Sequence, residues 1–102
     1  MNVHGQALYA AGRLEEAGNV LRECLIRAPN EVSCLLISAA VQSASGDIEG
    51  ARETMKRLVQ ADPTFSLATE RTYRRFGDSP LMDRFLAQLA SAKAPEIKSS
   101  SL

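Results

Sequence analysis

Residues 12–17 read Gly-Arg-Leu-Glu-Glu-Ala, and residues 46–51 repeat the pattern as Gly-Asp-Ile-Glu-Gly-Ala. Both strings place a glycine, a polar residue, a large aliphatic residue, an acidic residue, a variable position and an alanine in the same order. The shift between them is 34 residues, and two further landmarks recur at that shift: Leu21 with Met55, and Pro29 with Pro63. A fixed period of this length is typical of stacked structural repeats.

Each copy carries the residues that a helical hairpin requires. Gly12 and Gly46 permit the positive φ of a tight turn between two helices. Ala17 and Ala51 are small where the two helices approach closely, and the large apolar residue four positions later lies on the same helix face. The proline that closes each copy ends the second helix, because proline disfavours helical geometry in the residue before it. The pattern therefore predicts two helix–turn–helix units.

With these residues the chain resembles the tetratricopeptide repeat family, whose pattern is W-x2-L-G-x2-Y, then A-x3-F, then P, on a 34-residue period. The second half of the pattern is present twice, as Ala17, Leu21 and Pro29, and as Ala51, Met55 and Pro63. The first half is eroded, since only Gly5 is of the expected type. The resemblance implies an all-α, right-handed superhelical array of two repeats followed by a divergent capping hairpin.

The apolar periodicity predicts helices near 2–11, 14–27, 31–44 and 47–61. After Pro63 the period fails. A shorter helix near 65–75 and a final helix near 80–92 are predicted there, with Ser79 as the N-cap and Pro80 at the first helical position. Four of the five aromatic residues fall in this last unit, which suits a hairpin that covers the open end of an array.

We therefore expect four segments. Residues 1–29 form a first repeat that is truncated at its N-terminus, residues 30–63 the second repeat, residues 64–93 the capping hairpin, and residues 94–102 a disordered tail without an apolar pattern. Residues 62–86 also resemble the closing segment of repeat tails on bacterial adenylate/guanylate cyclase-like regulators. That resemblance implies a bacterial, cytoplasmic, multidomain origin, and it carries no cyclase activity because these residues hold no catalytic domain.

The charge balance excludes some partners. The chain has 102 residues with 12 basic and 12 acidic side chains, so it lacks the general electrostatic attraction to nucleic acid or to an acidic membrane. No apolar run approaches the roughly 20 residues of a membrane span. Residues 1–51 carry a formal charge of −3 and residues 52–102 of +3. Such halves allow head-to-tail association, although an ordinary solvated surface is the simpler interpretation.

Cys24 and Cys34 are the only thiols, and a helix break at Pro29 lies between them. Because a chain of this size can build a core without cross-links, we interpret them as two small buried apolar side chains in a reducing cytoplasm. A redox pair is the alternative, without the support of a CxxC spacing. The sequence leaves open whether the two are close enough to interact.

No motif for catalysis, for a metal or for a cofactor is present. His4 is the sole imidazole and has no nucleophile near it in the sequence, so we expect an exposed surface histidine. Glu15 and Glu16 suit the first turn of a helix, where the helix dipole favours negative charge. Phosphate-binding glycine motifs and metal-ligand spacings do not occur. We expect no enzyme, no cofactor and no metal.

One basic stretch is a candidate for nucleic-acid binding. Arg71, Arg74 and Arg75 are interleaved with Tyr73 and Phe76, and arginine beside an aromatic ring can hold a phosphate and stack a base. Three charges on a short helix of a neutral protein make a small patch, so we favour a solvated face with the aromatic rings turned into the cap. We expect no nucleic-acid partner.

The resemblance also implies a binding surface, because the family binds peptides in a concave groove lined by the first helix of each hairpin. The groove positions in this chain are Asn2, Gln6, Tyr9, Ser33, Leu36, Ala40, Ser43 and Ala44. The Lys, Asn and Arg pattern with which some members clamp a C-terminal carboxylate is absent. Small and apolar groove residues instead suit a helix or an extended segment packed by van der Waals contact. The competing interpretation is that these residues only pack neighbouring helices.

The predicted function is non-enzymatic protein–protein interaction, with a protein or peptide partner in this groove. Two alternatives stay open. In one, the chain is a structural or regulatory C-terminal segment of a larger cyclase-like enzyme. In the other, it forms a homo-oligomer through the face of its short first repeat.

Overall fold

The computed structural model describes residues 3–73, 75–77 and 79–95, and these form helices connected by turns, without a strand. The helices are α1 (Val3–Ala10), α2 (Leu14–Arg27), α3 (Val32–Ala44), α4 (Ile48–Ala61), α5 (Leu67–Tyr73) and α6 (Pro80–Ser91). The predicted all-α class is confirmed. The first four helices agree with the predicted bounds to within one residue at each end, because the 34-residue period defines both their apolar faces and their turns.

The two repeat turns have the same backbone geometry. Gly12 has a φ of +79° and Gly46 a φ of +90°, which is the left-handed region that the turns were predicted to need. The amide after each glycine closes the turn onto a carbonyl in the preceding helix, from Arg13 to Leu8 at 2.9 Å and from Asp47 to Gln42 at 2.8 Å. The two hydrogen bonds are themselves related by the 34-residue shift.

Close helix contacts occur at the small residues. Ala17 and Ala51 are completely buried, as is Leu21. Gly5 faces Leu21, and a Cβ at position 5 would lie only 2.8 Å from the Leu21 Cδ2 atom. The glycine of the eroded first half-motif is therefore a packing residue, because a side chain there would force α1 away from α2.

α3 is the centre of the core. Its buried residues are Cys34, Leu35, Leu36, Ile37, Ala39, Ala40 and Val41. They lie on all sides of the helix, and α1, α2, α4 and α6 each pack against it. A helix that is apolar all round must be enclosed in this way.

The last hairpin departs from a regular array. α5 is shorter than the predicted 65–75, and Ser66 lies before it as a cap whose Oγ accepts from the Thr69 amide at 3.1 Å. α6 begins as predicted, with the Ser79 Oγ accepting from the Met82 amide and Pro80 in the first turn. α6, rather than α5, packs against α3. The hairpin therefore folds back across the repeats instead of extending them.

The start of the predicted tail is held in place. The Pro95 carbonyl accepts a hydrogen bond from the Leu67 amide at 2.8 Å, and the Ala94 amide donates to the Leu89 carbonyl at 3.1 Å. The expected disorder therefore does not extend to these two residues. Residues 96–102 lie outside the described residues, and the four segment boundaries stay predictions.

Cys24 and Cys34 form a disulfide bond, with their Cα atoms 6.5 Å apart. The interpretation of two separate thiols is wrong, because the turn through Pro29 reverses the chain and brings the end of α2 to the start of α3. Linear spacing could not show this proximity. Disulfides persist mainly in oxidising compartments, so the bond gives no support to a cytoplasmic location.

The turn glycines generate a first prediction. Gly46→Ala is expected to lower the free energy of unfolding by about 1–2 kcal/mol, because an alanine must adopt a left-handed backbone. Gly18→Ala is the matched control: it lies inside α2, and its Cβ would meet only Val41 Cγ1 at 3.9 Å. Alanine there is expected to raise stability by up to about 1 kcal/mol. Urea unfolding measures the free energy of unfolding of both variants. If both substitutions changed it by the same amount in the same direction, the turn geometry would be contradicted.

A second prediction concerns the disulfide. It closes a loop of about ten residues, so its reduction is expected to cost about 3 kcal/mol of unfolding free energy through the gain in entropy of the unfolded chain. Urea unfolding of the wild-type chain with and without a reductant measures this difference. The double variant Cys24→Ala/Cys34→Ala is the control and should not respond to reductant. An identical wild-type midpoint in both conditions would show that the bond is not formed.

Candidate functional site

Half of the predicted groove residues lie beneath α6. Tyr9 is 4% exposed, Leu36 2% and Ala40 0%. Ser43 lies on the same stripe of α3, and its Oγ donates to the Gln88 carbonyl of α6 at 2.8 Å. We call this surface, made of Tyr9, Leu36, Ala40 and Ser43, the concave face.

The other groove residues lie around its edge. Gln6 is half-buried on α1, and its Oε1 accepts from the Arg75 Nη1 at 3.4 Å. Ala44 is half-buried beside the end of α1, whereas Ser33 lies at the opposite end of α3 with its Oγ 3.4 Å from the Glu31 Oε2. Asn2 lies outside the described residues. The structure thus brings six of the eight into one region on α1 and α3, with α6 across its middle.

Three aromatic rings hold α6 on the concave face. Tyr9 of α1 lies 5.7 Å from Phe76 and 5.8 Å from Phe85, and Phe76 lies 5.0 Å from Phe85, measured between ring centroids. Tilted and edge-on rings at these distances contribute about 0.5–1.5 kcal/mol per pair beyond their buried area. The Tyr9 hydroxyl also donates to the Gln88 Oε1.

The sequence contained a signal for this cluster that pattern reasoning did not use. Tyr9 is the only aromatic residue outside the last unit, and it is the ring on which two of the cap aromatics pack. Tyr73 does not follow the expectation that the rings turn into the cap, because it is 66% exposed. It lies at the last turn of α5, with its ring 4.8 Å from the Arg75 guanidinium.

Of the three arginines of the basic stretch, Arg75 is engaged within the fold and is not presented to a phosphate. Arg75 is directed inward, and its Nε lies 2.7 Å from the Oε2 of Glu70, whose side chain is 5% exposed. A buried carboxylate is costly without such a partner, so this guanidinium is committed to Glu70 and to Gln6. Arg71 has a partner as well, and Arg74 lies outside the described residues.

Catalytic and metal chemistry is not assembled in the parts of the chain that the structure describes. His4 is exposed, and Glu16 forms an exposed ion pair with Arg13 at 2.6 Å in the first turn of α2. No group of three or more His, Cys, Asp or Glu side chains within residues 3–73, 75–77 and 79–95 is placed to hold a metal ion. Over the same residues, none of the helices has the length and apolar character needed to cross a membrane.

Burial has one electrostatic consequence at the concave face. Loss of solvent raises the pKa of Tyr9 from 10.0 to about 12, and the positive charge of Arg84 on α6 opposes part of that effect. The phenol is therefore neutral and a hydrogen-bond donor at every physiological pH, as its contact with Gln88 requires.

A family model described as tetratricopeptide repeat matches residues 8–69, which is more than half of the chain. The match begins in α1, includes all of α2, α3 and α4, and ends in α5. Neither a curated protein nor a solved structure gives a match.

The buried phenol generates a third prediction. Between pH 10 and about 12 the unfolded chain loses the Tyr9 proton while the folded chain keeps it, so the free energy of unfolding falls as pH rises through this window, by about 2–3 kcal/mol at most. Denaturant unfolding at several pH values, compared between the wild-type chain and Tyr9→Phe, isolates the effect. The same pH dependence in both proteins would place the phenol in solvent.

Proposed function

Because the chain belongs to the tetratricopeptide repeat family, we propose that it is a non-enzymatic protein–protein interaction module whose concave face accepts an amphipathic helix. Repeats of this family generally mediate protein–protein interaction. The described residues offer this function a surface on α1 and α3. The concave face is the surface that the family resemblance assigns to partners.

One observation carries the proposal: a helix already lies on this face. α6 directs Phe85 and Leu89 inward, and both are completely buried. Leu36 and Ala40 are buried on the same stripe of α3 as Ser43, which contacts α6, and these two small or apolar side chains allow close approach of a second helix. Helix-in-groove recognition depends on apolar anchors one turn apart, and Phe85 and Leu89 have that spacing.

The contacts of α6 also define the chemistry of a partner. A partner helix would carry an aromatic residue in the position of Phe85 to contact Tyr9, an aliphatic residue one turn later, and a carbonyl or amide within reach of Ser43. Such a helix competes with α6, which is attached to the same chain and has an effective concentration near the millimolar range. Partner binding therefore requires a helix with a larger apolar face than α6, or a weakened α6.

The cyclase-like alternative lacks an observation of its own. The cyclase-like context of residues 62–86 and a bacterial origin stay predictions. For the cellular location, the disulfide between Cys24 and Cys34 favours an oxidising compartment over the predicted cytoplasm.

A fourth prediction tests the concave face as a helix-binding surface. A labelled synthetic peptide with the sequence of residues 79–95 should bind the full-length chain weakly, because α6 occupies the face. It should bind a chain with Phe85→Ala roughly tenfold to a hundredfold more tightly, since truncation of a buried ring weakens α6 by up to several kcal/mol. Fluorescence anisotropy measures both affinities.

Two controls accompany this test. Ala87→Ser changes an exposed position of α6 and should leave peptide binding unchanged, and a peptide that itself carries Phe85→Ala should not compete. Circular dichroism establishes that the Phe85→Ala chain keeps its helices, with Phe85→Leu as the milder replacement if it does not. Equal peptide affinity for the wild-type and the folded variant would contradict the proposal.

A further inference from the structure

A second groove lies on α4, away from the concave face. It has a volume of about 390 Å³, and the segment after α6 forms its other side. Met55, Val59 and Ala92 supply an apolar floor, whereas Arg52, Lys56 and Lys93 stand at its rim. All three rim side chains belong to exposed residues. We call this the tail groove.

The internal repeat indicates what such a surface normally contacts. In the first repeat, the residues equivalent to Arg52, Lys56 and Val59 lie 34 positions earlier in α2. They are Gly18, Arg22 and Leu25. In the first repeat these residues face the second repeat, across a cleft whose α4 side is formed by Thr54 and Arg57. The α2 surface therefore faces the next unit across this cleft, and Ser38, Val41 and Gln42 of α3 form the rest of the opposite side.

The equivalent surface of α4 does not face a regular third repeat, because α6 lies against α3 instead. Among the described residues, Ala92, Lys93 and Pro95, which follow α6, lie opposite α4 in the tail groove. Because the last hairpin folds back onto α3, α4 lacks the neighbouring unit that α2 faces in the first repeat.

The same 34-residue shift identifies a surface that fits this position. Thr54 and Arg57 correspond to Val20 and Glu23 of α2. These two lie with Ile26 along one side of α2, beside Arg22 and Asn19, which are hydrogen-bonded to each other. Ile26 is 74% exposed, an unusual exposure for a large apolar side chain. We call Val20, Glu23 and Ile26 the head face.

Charge complements the shape. In the cleft within the chain, Arg57 of α4 faces α2. In a contact between two copies, Glu23 of the second copy would take the place of Arg57, so a carboxylate would replace a cation. That carboxylate would face Arg52 and Lys56 at the rim. The exposed pairs Glu23–Arg27 at 3.5 Å and Lys56–Glu53 at 3.3 Å would have to exchange, which costs little because exposed pairs contribute about 0–1 kcal/mol.

We propose that the tail groove binds the head face of a second copy of this chain. The contact is head to tail, so each copy keeps one free groove and one free head face, and the assembly grows as an open series of copies rather than a closed dimer. The proposal uses α2 and α4 and is independent of the function assigned to the concave face.

Light scattering and sedimentation of the full chain test the association directly. The average mass is expected to rise with protein concentration without a plateau at the dimer, and to fall as salt screens the contact between Glu23 and the basic rim. A monomer over the whole concentration range at low salt would overturn the proposal, as would a mass that saturates at two copies.

Complementary variants give the sharper test. Glu23→Lys blocks the head face and Val59→Lys blocks the tail groove, so each variant alone should be monomeric. Their equimolar mixture should form a one-to-one dimer, because the intact head face of Val59→Lys can enter the intact groove of Glu23→Lys while the other pairing is repelled. If copies instead paired head face to head face or groove to groove, the mixture would not form this one-to-one dimer. A mixture that stays monomeric would overturn the proposal.

The controls distinguish a lost contact from a lost fold. Glu15→Lys makes the same charge change on α2 at an exposed residue outside the head face and should associate like the wild-type chain; loss of association in this variant would overturn the assignment to Glu23. Circular dichroism checks each variant, and Val59→Gln replaces Val59→Lys if helix content falls. Binding of the residue 79–95 peptide to the concave face should be unaffected by either blocking variant.

Discussion

The enclosure of α3 on all sides is the constraint on which the rest of the structure depends. Its middle is buried and apolar from Leu35 to Val41 except at the half-buried Ser38, so it is stable only if other helices cover its apolar faces. α1, α2 and α4 supply the two repeat hairpins around it. The remaining face, which carries Leu36 and Ala40, is left for the last hairpin, and α6 covers it.

That cover determines both surfaces with a functional interpretation. By lying on α3, α6 fills the concave face, where Tyr9 meets Phe85 of α6 and Phe76 of the turn before it. Since α6 cannot lie beside α4 at the same time, the α4 edge with its basic rim stays open. The position of α6 therefore fills the concave face within the chain and leaves the α4 edge exposed. The buried pair of Glu70 and Arg75, with Gln6 as a further acceptor, connects the same hairpin to α1.

Prediction from sequence succeeded where the period holds. The shift of 34 residues between Gly12 and Gly46 located two turns and four helices, because a repeat specifies spacing, turn glycine and close-contact alanine together. Beyond Pro63 there is no second copy to define a register, so local signals such as Ser79 and Pro80 marked where α6 begins but not where it packs. Tyr9 and Leu36 were assigned to a groove by family resemblance, and the long-range contact that buries them has no signature in a single sequence. The disulfide between Cys24 and Cys34 was missed for the same reason, since proximity across a turn does not appear in linear spacing.

The central claim is that α6 lies on the concave face of the two repeats in the isolated chain. Nuclear Overhauser effects in solution test it most directly. The account predicts strong cross-peaks between the ring protons of Tyr9 and those of Phe85, together with protection of the Leu36 and Ala40 methyl groups from a soluble paramagnetic probe. Absence of the Tyr9–Phe85 cross-peaks, with broadening of those methyl resonances by the probe, would contradict it.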